Sequence, residues 1–190
     1  KLGITRKKKT KYYKEGDLKA QEEFAEKVAQ LEKDNASLCY VDETGVRESI
    51  HREHARAPKG EKVVQYVSGR REKKWNIIGG LEDNNFIAPM VFDQSCDSDL
   101  FCAWLENELL PTLKEGTYVI MDNASFHPKK DIEDILAKKG CYALFLPPYS
   151  PQLNKIEHTW HVLKSKIKTL KQTTKNALFP TVLDSAINAI

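Results

Sequence analysis

At 190 residues the chain is long enough for one large domain with a substantial core, alone or with an extension. Hydrophobic residues at 41% and aromatics at 9% fit a soluble globular protein. No apolar run approaches the roughly 18 residues of a membrane span, and no basic–apolar–small signal segment opens the chain. The net charge of +3 conceals two basic segments, residues 1–14 with seven Lys/Arg and no acid, and 155–175 with six Lys and one acid. Taking those 13 basic residues and one acid from totals of 30 and 27 leaves 17 basic and 26 acidic residues elsewhere. Positive charge concentrated in this way suits a polyanion, although a charge run is more often a solvated face.

In chain order, residues 1–16 carry turn-forming and basic residues with no apolar period and read as a linker or arm. The chain opens on Lys1 rather than methionine, so the expectation is a piece of a longer protein with an N-terminal module outside it. Asp17 is an N-cap for a helix with Leu18, Phe24, Val28 and Leu31 near helical spacing. "SLCYVDET" is a short β-prone run ending in two acids. "KWNIIGGLE" and "NFIAPMVFD" flank Asp83-Asn84-Asn85 and predict a hairpin. "DSDLFCAWLENELLPTL" is a helix capped by Asp97 or Ser98, with Leu100, Trp104, Leu105 and Leu109 on one face. "TYVIMDN" is a strand ending in an acid, and "PKKDIEDILAKKG" is a helix with Pro128 near its start and Gly140 as its stop. "CYALFLP" is a strand, followed by "LPPYSPQLNKIEHTW", a helix to about Lys171 and a last helix over 177–190. Hairpin strands followed by βαβ units predict a mixed sheet with helices packed on it.

Three acids stand at or after strands: Asp42, Asp122 and Glu157, with 79 residues between the first two and 34 between the last two. Ligands gather at loops beyond the carboxyl ends of strands in such sheets. Carboxylates converging there repel unless protonated or bound to a cation. Hard oxygen ligands suit Mg²⁺ or Mn²⁺, and two such ions support in-line displacement at a phosphodiester. Singly, each acid has a plainer role. Asp42 and Asp122 read equally as turn residues, and Glu157 as the third residue of a capping box with Asn154 as N-cap.

The segments "YVDETG", "VIMDNASFH" and "LPPYSPQLNKIEHTW", in that order and spacing, resemble the catalytic domain of DDE transposases of the mariner superfamily, in their bacterial insertion-sequence branch. The resemblance implies an α/β ribonuclease H-like fold: a five-stranded mixed sheet, three antiparallel strands and then parallel βαβ, with helices on both faces. Residues 17–190 would form the catalytic domain and 1–16 an arm from a DNA-binding module. Asp42, Asp122 and Glu157 would be catalytic and would ligate Mg²⁺, with Mn²⁺ as substitute, as two ions. The implied partners are double-stranded DNA, namely transposon terminal inverted repeats and target DNA at a TA step, and a second copy in a homodimer or larger synaptic complex, with no membrane. The implied location is the bacterial cytoplasm, on the nucleoid. Two departures stand out: Gln152 where the family usually has Asp, and Lys155 where it has Pro, which removes some preorganisation of the helix start.

On that helix Ile156, Trp160, Leu163, Ile167 and Leu170 form a core stripe. About 100° round it stand Glu157, His161, Lys164, Lys168, Lys171 and Lys175. Lys164, Lys168 and Lys171 are therefore candidate phosphate contacts, as are Arg6, Lys7, Lys8, Lys9 and Lys11 of the arm. His127 reads as a site-shaping or phosphate-contacting residue, and His158 as solvent-facing. Trp75, Trp104 and Trp160 read as core anchors. "HREH" at 51–54 is neither HExxH nor HxxEH. Ser125 and His127 near Asp122 lack the GxSxG elbow of a hydrolase. Cys39, Cys96, Cys102 and Cys141 form no CxxC pair and read as reduced thiols. Two alternatives stay open: a nuclease of the same fold that cannot join ends, and an inactive DNA-binding or dimerisation module.

Overall fold

The β-prone runs assemble into one sheet because each alternates side chains to two apolar layers. The computed structural model describes residues 16–48, 56–64, 72–124, 127–174 and 177–190. The candidate arm residues Arg6, Lys7, Lys8, Lys9 and Lys11, the "HREH" stretch, Ser125 and Lys175 lie outside the described residues. Strands β1 (Leu38–Arg47), β2 (Lys74–Glu82), β3 (Asn85–Phe92), β4 (Tyr118–Met121) and β5 (Tyr142–Phe145) lie in the order β3-β2-β1-β4-β5. The β1–β2 and β2–β3 pairs are antiparallel, whereas β1–β4 and β4–β5 are parallel. The mixed sheet expected from the sequence is the one observed.

Helices cover both faces. On one face α1 (Leu18–Lys33), α5 (Ile156–Thr173) and α6 (Phe179–Ile187) bury Phe24, Trp160, Leu163 and Leu183 against Leu38, Tyr40, Ile77 and Ile120. On the other, α2 (Ser98–Trp104) and α4 (Lys129–Ala137) bury Phe101, Trp104, Ile132 and Leu136 against Cys39, Val41, Ile78 and Val119. The parity of β1 thus sends Leu38 and Tyr40 to the α5 layer and Cys39 and Val41 to the α2 layer. Asp42 shares the parity of Tyr40 and points toward α5.

Several elements differ from the sequence expectation. The helix after Asp97 is not one α-helix: it widens into a π-helical turn, Leu105–Leu109, before α3 (Leu110–Thr112). Pro111 has no N–H to continue the regular ladder, and the extra residue per turn rotates the buried face. Phe101, rather than Leu100, is fully buried in α2, three and four residues before buried Trp104 and Leu105. The Trp104 indole donates to Ala88 O at 2.9 Å, and Ala88 has φ +48 beside the irregular register of β2 and β3. The last helix starts at Phe179 instead of 177, because Pro180 fits the first helical turn and Leu178 is extended. Strand β1 continues well past "VDET" to Arg47, so Asp42 lies inside a strand and is not a turn residue.

Gly79 faces Asp42 across the β1–β2 pair, and a Cβ there would collide with the Phe86 ring. That ring packs edge-on against Trp160, with centroids 5.3 Å apart. Gly79→Ala is therefore expected to destabilise the fold by about 1–3 kcal/mol through overpacking. A lower urea midpoint with an unchanged slope would show it, and an unchanged midpoint would mean that the ring yields freely.

Candidate active site

Asp42 sits where β1 outlives one of its neighbours. The parallel register with β4 runs from Leu38↔Tyr118 to Tyr40↔Ile120, while the antiparallel register with β2 continues to Arg47↔Lys74. The Asp42 side chain therefore emerges from a rigid strand at the edge of a cleft. Asp122 follows the last residue of β4, and its Oδ1 accepts a hydrogen bond from Ala124 N at 3.3 Å. Glu157 lies in the first turn of α5.

The run from β5 to α5 is held at each step. Leu146 N donates to Met121 O at 2.8 Å, extending the parallel ladder by one residue. Ser150 is buried and its hydroxyl donates to Pro148 O, after which Pro151–Leu153 forms a 3₁₀ turn. Gln152 and Lys155, the two departures from the family pattern, both fasten this segment to α1. Gln152 Nε2 donates to Gln21 Oε1 at 2.9 Å, and Lys155 Nζ donates to Glu32 Oε1 at 2.5 Å.

Asn154 does not cap α5 with its side chain. It is 5% exposed, and its Nδ2 donates to the Val41 carbonyl at 3.2 Å, one residue before Asp42. The link to Glu157 is through the backbone, Glu157 N to Asn154 O at 3.3 Å. The carboxamide therefore stitches the start of the glutamate helix to the aspartate strand. Trp160 is a core anchor as expected, but its Nε1 also donates to Asp42 Oδ2 at 2.9 Å. The signal for this second role was in the sequence: Trp160 stands three residues after Glu157, on a neighbouring part of the same helix surface, and a buried indole needs an acceptor.

Asp42, Asp122 and Glu157 line one open pocket of ≈ 410 Å³ together with Asn123, Tyr149 and Asn154. A larger hollow of ≈ 780 Å³ lies around the start of β1 and mixes Lys114 and Lys155 with Glu32, Asp83 and Glu115, without a cluster of one sign. Burial pushes the Asp42 carboxyl up from its ordinary 3.8 to about 7. The Glu43 N–H and the Trp160 indole oppose that shift, and the Glu157 and Asp122 charges add to it. Asp122 is shifted the other way: its hydrogen bond with His127 outweighs its own burial and holds it below the ordinary carboxylate range. Two acids of one pocket are thus set toward opposite charge states, a pattern common at functional sites.

His127 is the partner that makes this difference. Its side chain is 5% exposed, Nδ1 stands 3.2 Å from Asp122 Oδ1, and its ring packs at 4.2 Å against Phe101. It is buried beside Asp122 and is not on the exposed surface. Among the candidate lysines, Lys164 is exposed and Lys168 is half-buried. Lys171 is also half-buried, with its ammonium 5.2 Å from the Phe179 ring centre. Trp75 is half-buried and donates to Glu48. His158 is exposed.

The donor set is all carboxylate oxygen, which suits hard divalent cations. As the side chains are placed, no three Asp, Glu, His or Cys among the described residues stand close enough to hold one ion. Asp42 and Asp122 are turned to Trp160 and His127.

Residues 37–178 match the family described as DDE superfamily endonuclease. No curated protein matches the chain. Among solved structures, the Mos1 strand transfer complex is similar at a TM-score of 0.65 and 15% identity over 97% of this chain and 62% of the other. The Mos1 mariner paired end complex with Mn gives 0.63 and 14%, over 98% and 64%. The HTLV-2 integrase catalytic core domain in complex with magnesium gives 0.51 and 9%, over 79% and 81%. At these identities the likeness establishes a ribonuclease H-like fold. The chain spans less than two thirds of the length of those two Mos1 chains.

Proposed function

The chain belongs to the DDE superfamily endonuclease family, and on that premise we propose that it cuts DNA at the ends of a mobile element and joins the freed 3′ ends to target DNA. The observation that carries this is the meeting of Asp42, Asp122 and Glu157, from β1, the end of β4 and α5, in one pocket beside the strand ends. Those three carboxylates would hold Mg²⁺ or Mn²⁺, as two ions. A bound divalent cation supplies an activated water or 3′-hydroxyl and stabilises the leaving 3′ oxygen. The chain's own residues do the positioning. Trp160 and Asn154 fix the Asp42 strand against the Glu157 helix, and the His127 contact favours the charged form of Asp122.

In cleavage, water adds to phosphorus and the 3′ oxygen leaves. In joining, that 3′-hydroxyl attacks a target phosphodiester and displaces its 3′ oxygen. The partners of this reading are terminal inverted repeats, a TA target step and a second copy of the chain. Lys164, Lys168 and Lys171, with the 1–16 arm, would follow the phosphates outward.

The test is an assay with DNA carrying the source element's ends and a labelled target, in Mg²⁺ or Mn²⁺. Joined products are expected. Cut ends without joining would favour a nuclease of the same fold, and DNA retained uncut would favour a binding module.

A further inference from the structure

Tyr149 is where the fold does something that folding alone does not reward. It is 55% exposed and has φ +57, a left-handed conformation that glycine adopts freely and a bulky L-residue rarely does. The loop around it is stiff. Pro147 and Pro148 precede it and Pro151 follows, each with a ring-fixed φ. Buried Ser150 closes the turn onto Pro148 O. An exposed aromatic held in a strained backbone, on the wall of a pocket lined by three carboxylates, marks a place where strain is kept for use.

The other large exposed aromatic among the described residues, Tyr142, begins β5 at the strand end away from Leu146 and is stacked at 4.9 Å on Tyr118. Trp104, Trp160 and Phe101 are buried. Of the aromatics described, Tyr149 is thus the exposed one on the carboxylate pocket.

We propose that the Tyr149 ring is a stacking platform for the nucleobase next to the phosphodiester that enters the carboxylate pocket. This rests on the DNA-cutting function proposed above and names how the substrate is held there. The chemistry favours a base over a phosphate. The pocket carries acidic side chains that repel the backbone, whereas stacking on an aromatic face is indifferent to that charge and to base identity. A rigid ring loses little freedom on binding, so the stiff loop sets the register of the backbone against the carboxylates.

The experiment compares wild type with Tyr149→Phe, Tyr149→Leu and Tyr149→Gly in two readouts. The first is fluorescence quenching of a single-stranded oligonucleotide containing 2-aminopurine, in Ca²⁺. The second is nicking of supercoiled plasmid in Mn²⁺. Quenching and nicking are expected to survive in Tyr149→Phe and to fall about tenfold or more in Tyr149→Leu and Tyr149→Gly. Tyr149→Gly is expected to melt at a higher temperature than wild type, since glycine takes the left-handed turn without a Cβ clash. Rising stability with falling function separates a binding role from a structural one. Equal quenching by wild type and Tyr149→Leu overturns the stacking platform while leaving DNA cutting intact. Equal loss in Tyr149→Phe and Tyr149→Leu overturns it too, by assigning the hydroxyl. Quenching without nicking in wild type overturns the proposed cutting activity and leaves the platform standing.

Discussion

Asp42→Asn, Asp122→Asn and Glu157→Gln are each expected to lower cation-dependent DNA cutting by about 10³-fold or more, with DNA binding retained. Each change is close to isosteric and removes one negative charge. Asn at 42 can still accept from the Trp160 indole through its amide oxygen, and Asn at 122 can still meet His127. The scaffold around the pocket should therefore persist, and the loss falls on the charge that holds a cation. Binding to a DNA duplex is expected to be unchanged or tighter, because one carboxylate fewer faces the phosphates. A nicking assay in Mg²⁺ beside a binding titration at the same salt checks both halves. Variants that cut as fast as wild type would show that these acids hold no cation used in the reaction.

The same substitution at Asp42 is expected to raise stability when divalent cations are absent. In the fold the Asp42 carboxyl is pushed by burial from its ordinary 3.8 to about 7. Below the ordinary value the carboxyl is protonated in both states and carries no penalty. As pH rises through the interval, the unfolded chain gives up the proton and the fold retains it, so stability is lost up to about pH 7. The full difference is on the order of 4 kcal/mol as an upper bound, at roughly 1.4 kcal/mol per pH unit. Asp42→Asn removes the penalty, so its gain over wild type should be small near pH 4 and largest near pH 8. Asp122→Asn should behave oppositely. The His127 contact holds Asp122 below the ordinary carboxylate range, so that acid stabilises the fold at neutral pH and the contribution fades as pH falls. Urea titrations with a chelator at pH 4.5 and pH 8 read both signs. Adding Mg²⁺ at pH 8 should stabilise wild type and not Asp42→Asn. An Asp42→Asn protein less stable than wild type at pH 8 would mean that the buried carboxylate is compensated by contacts its amide cannot make.

These two effects pull against each other at one residue, and the fold shows why they coexist. Asp42 is on a central strand whose neighbour β4 has just ended its register with β1, so the strand is rigid and the side chain partly desolvated. Rigidity helps hold a ligand in place, and desolvation strengthens its field. The accompanying loss of stability is typical of a site in which function opposes folding.

Much of this was legible in the residues. The continuous apolar runs "LCYV" and "YVIM" marked strands covered on both faces, and the helical stripe Ile156, Trp160, Leu163 and Ile167 marked the buried side of α5. The three acid-bearing segments located the pocket. Other features depended on contacts far apart in sequence. Pro111 is visible in the sequence, but the π-helical turn before it is seen only in the fold, where Leu105 and Leu109 join Phe101 and Trp104 in one buried cluster. Asn154 looks like a cap until the Val41 carbonyl, 113 residues away, is brought to it.

By itself, then, the sequence determined the order of strands and helices and a mixed sheet with helices packed on it, and it singled out the three carboxylates that line one pocket, because these depend on local period and motif. Tertiary structure alone decided that burial raises Asp42 while the His127 contact lowers Asp122, and that Gln152 and Lys155 anchor the glutamate helix to α1. It also decided that Tyr149 stands exposed beside the acids. Hydrogen bonds, desolvation and backbone handedness depend on which groups meet in space, and no periodicity along the chain encodes that.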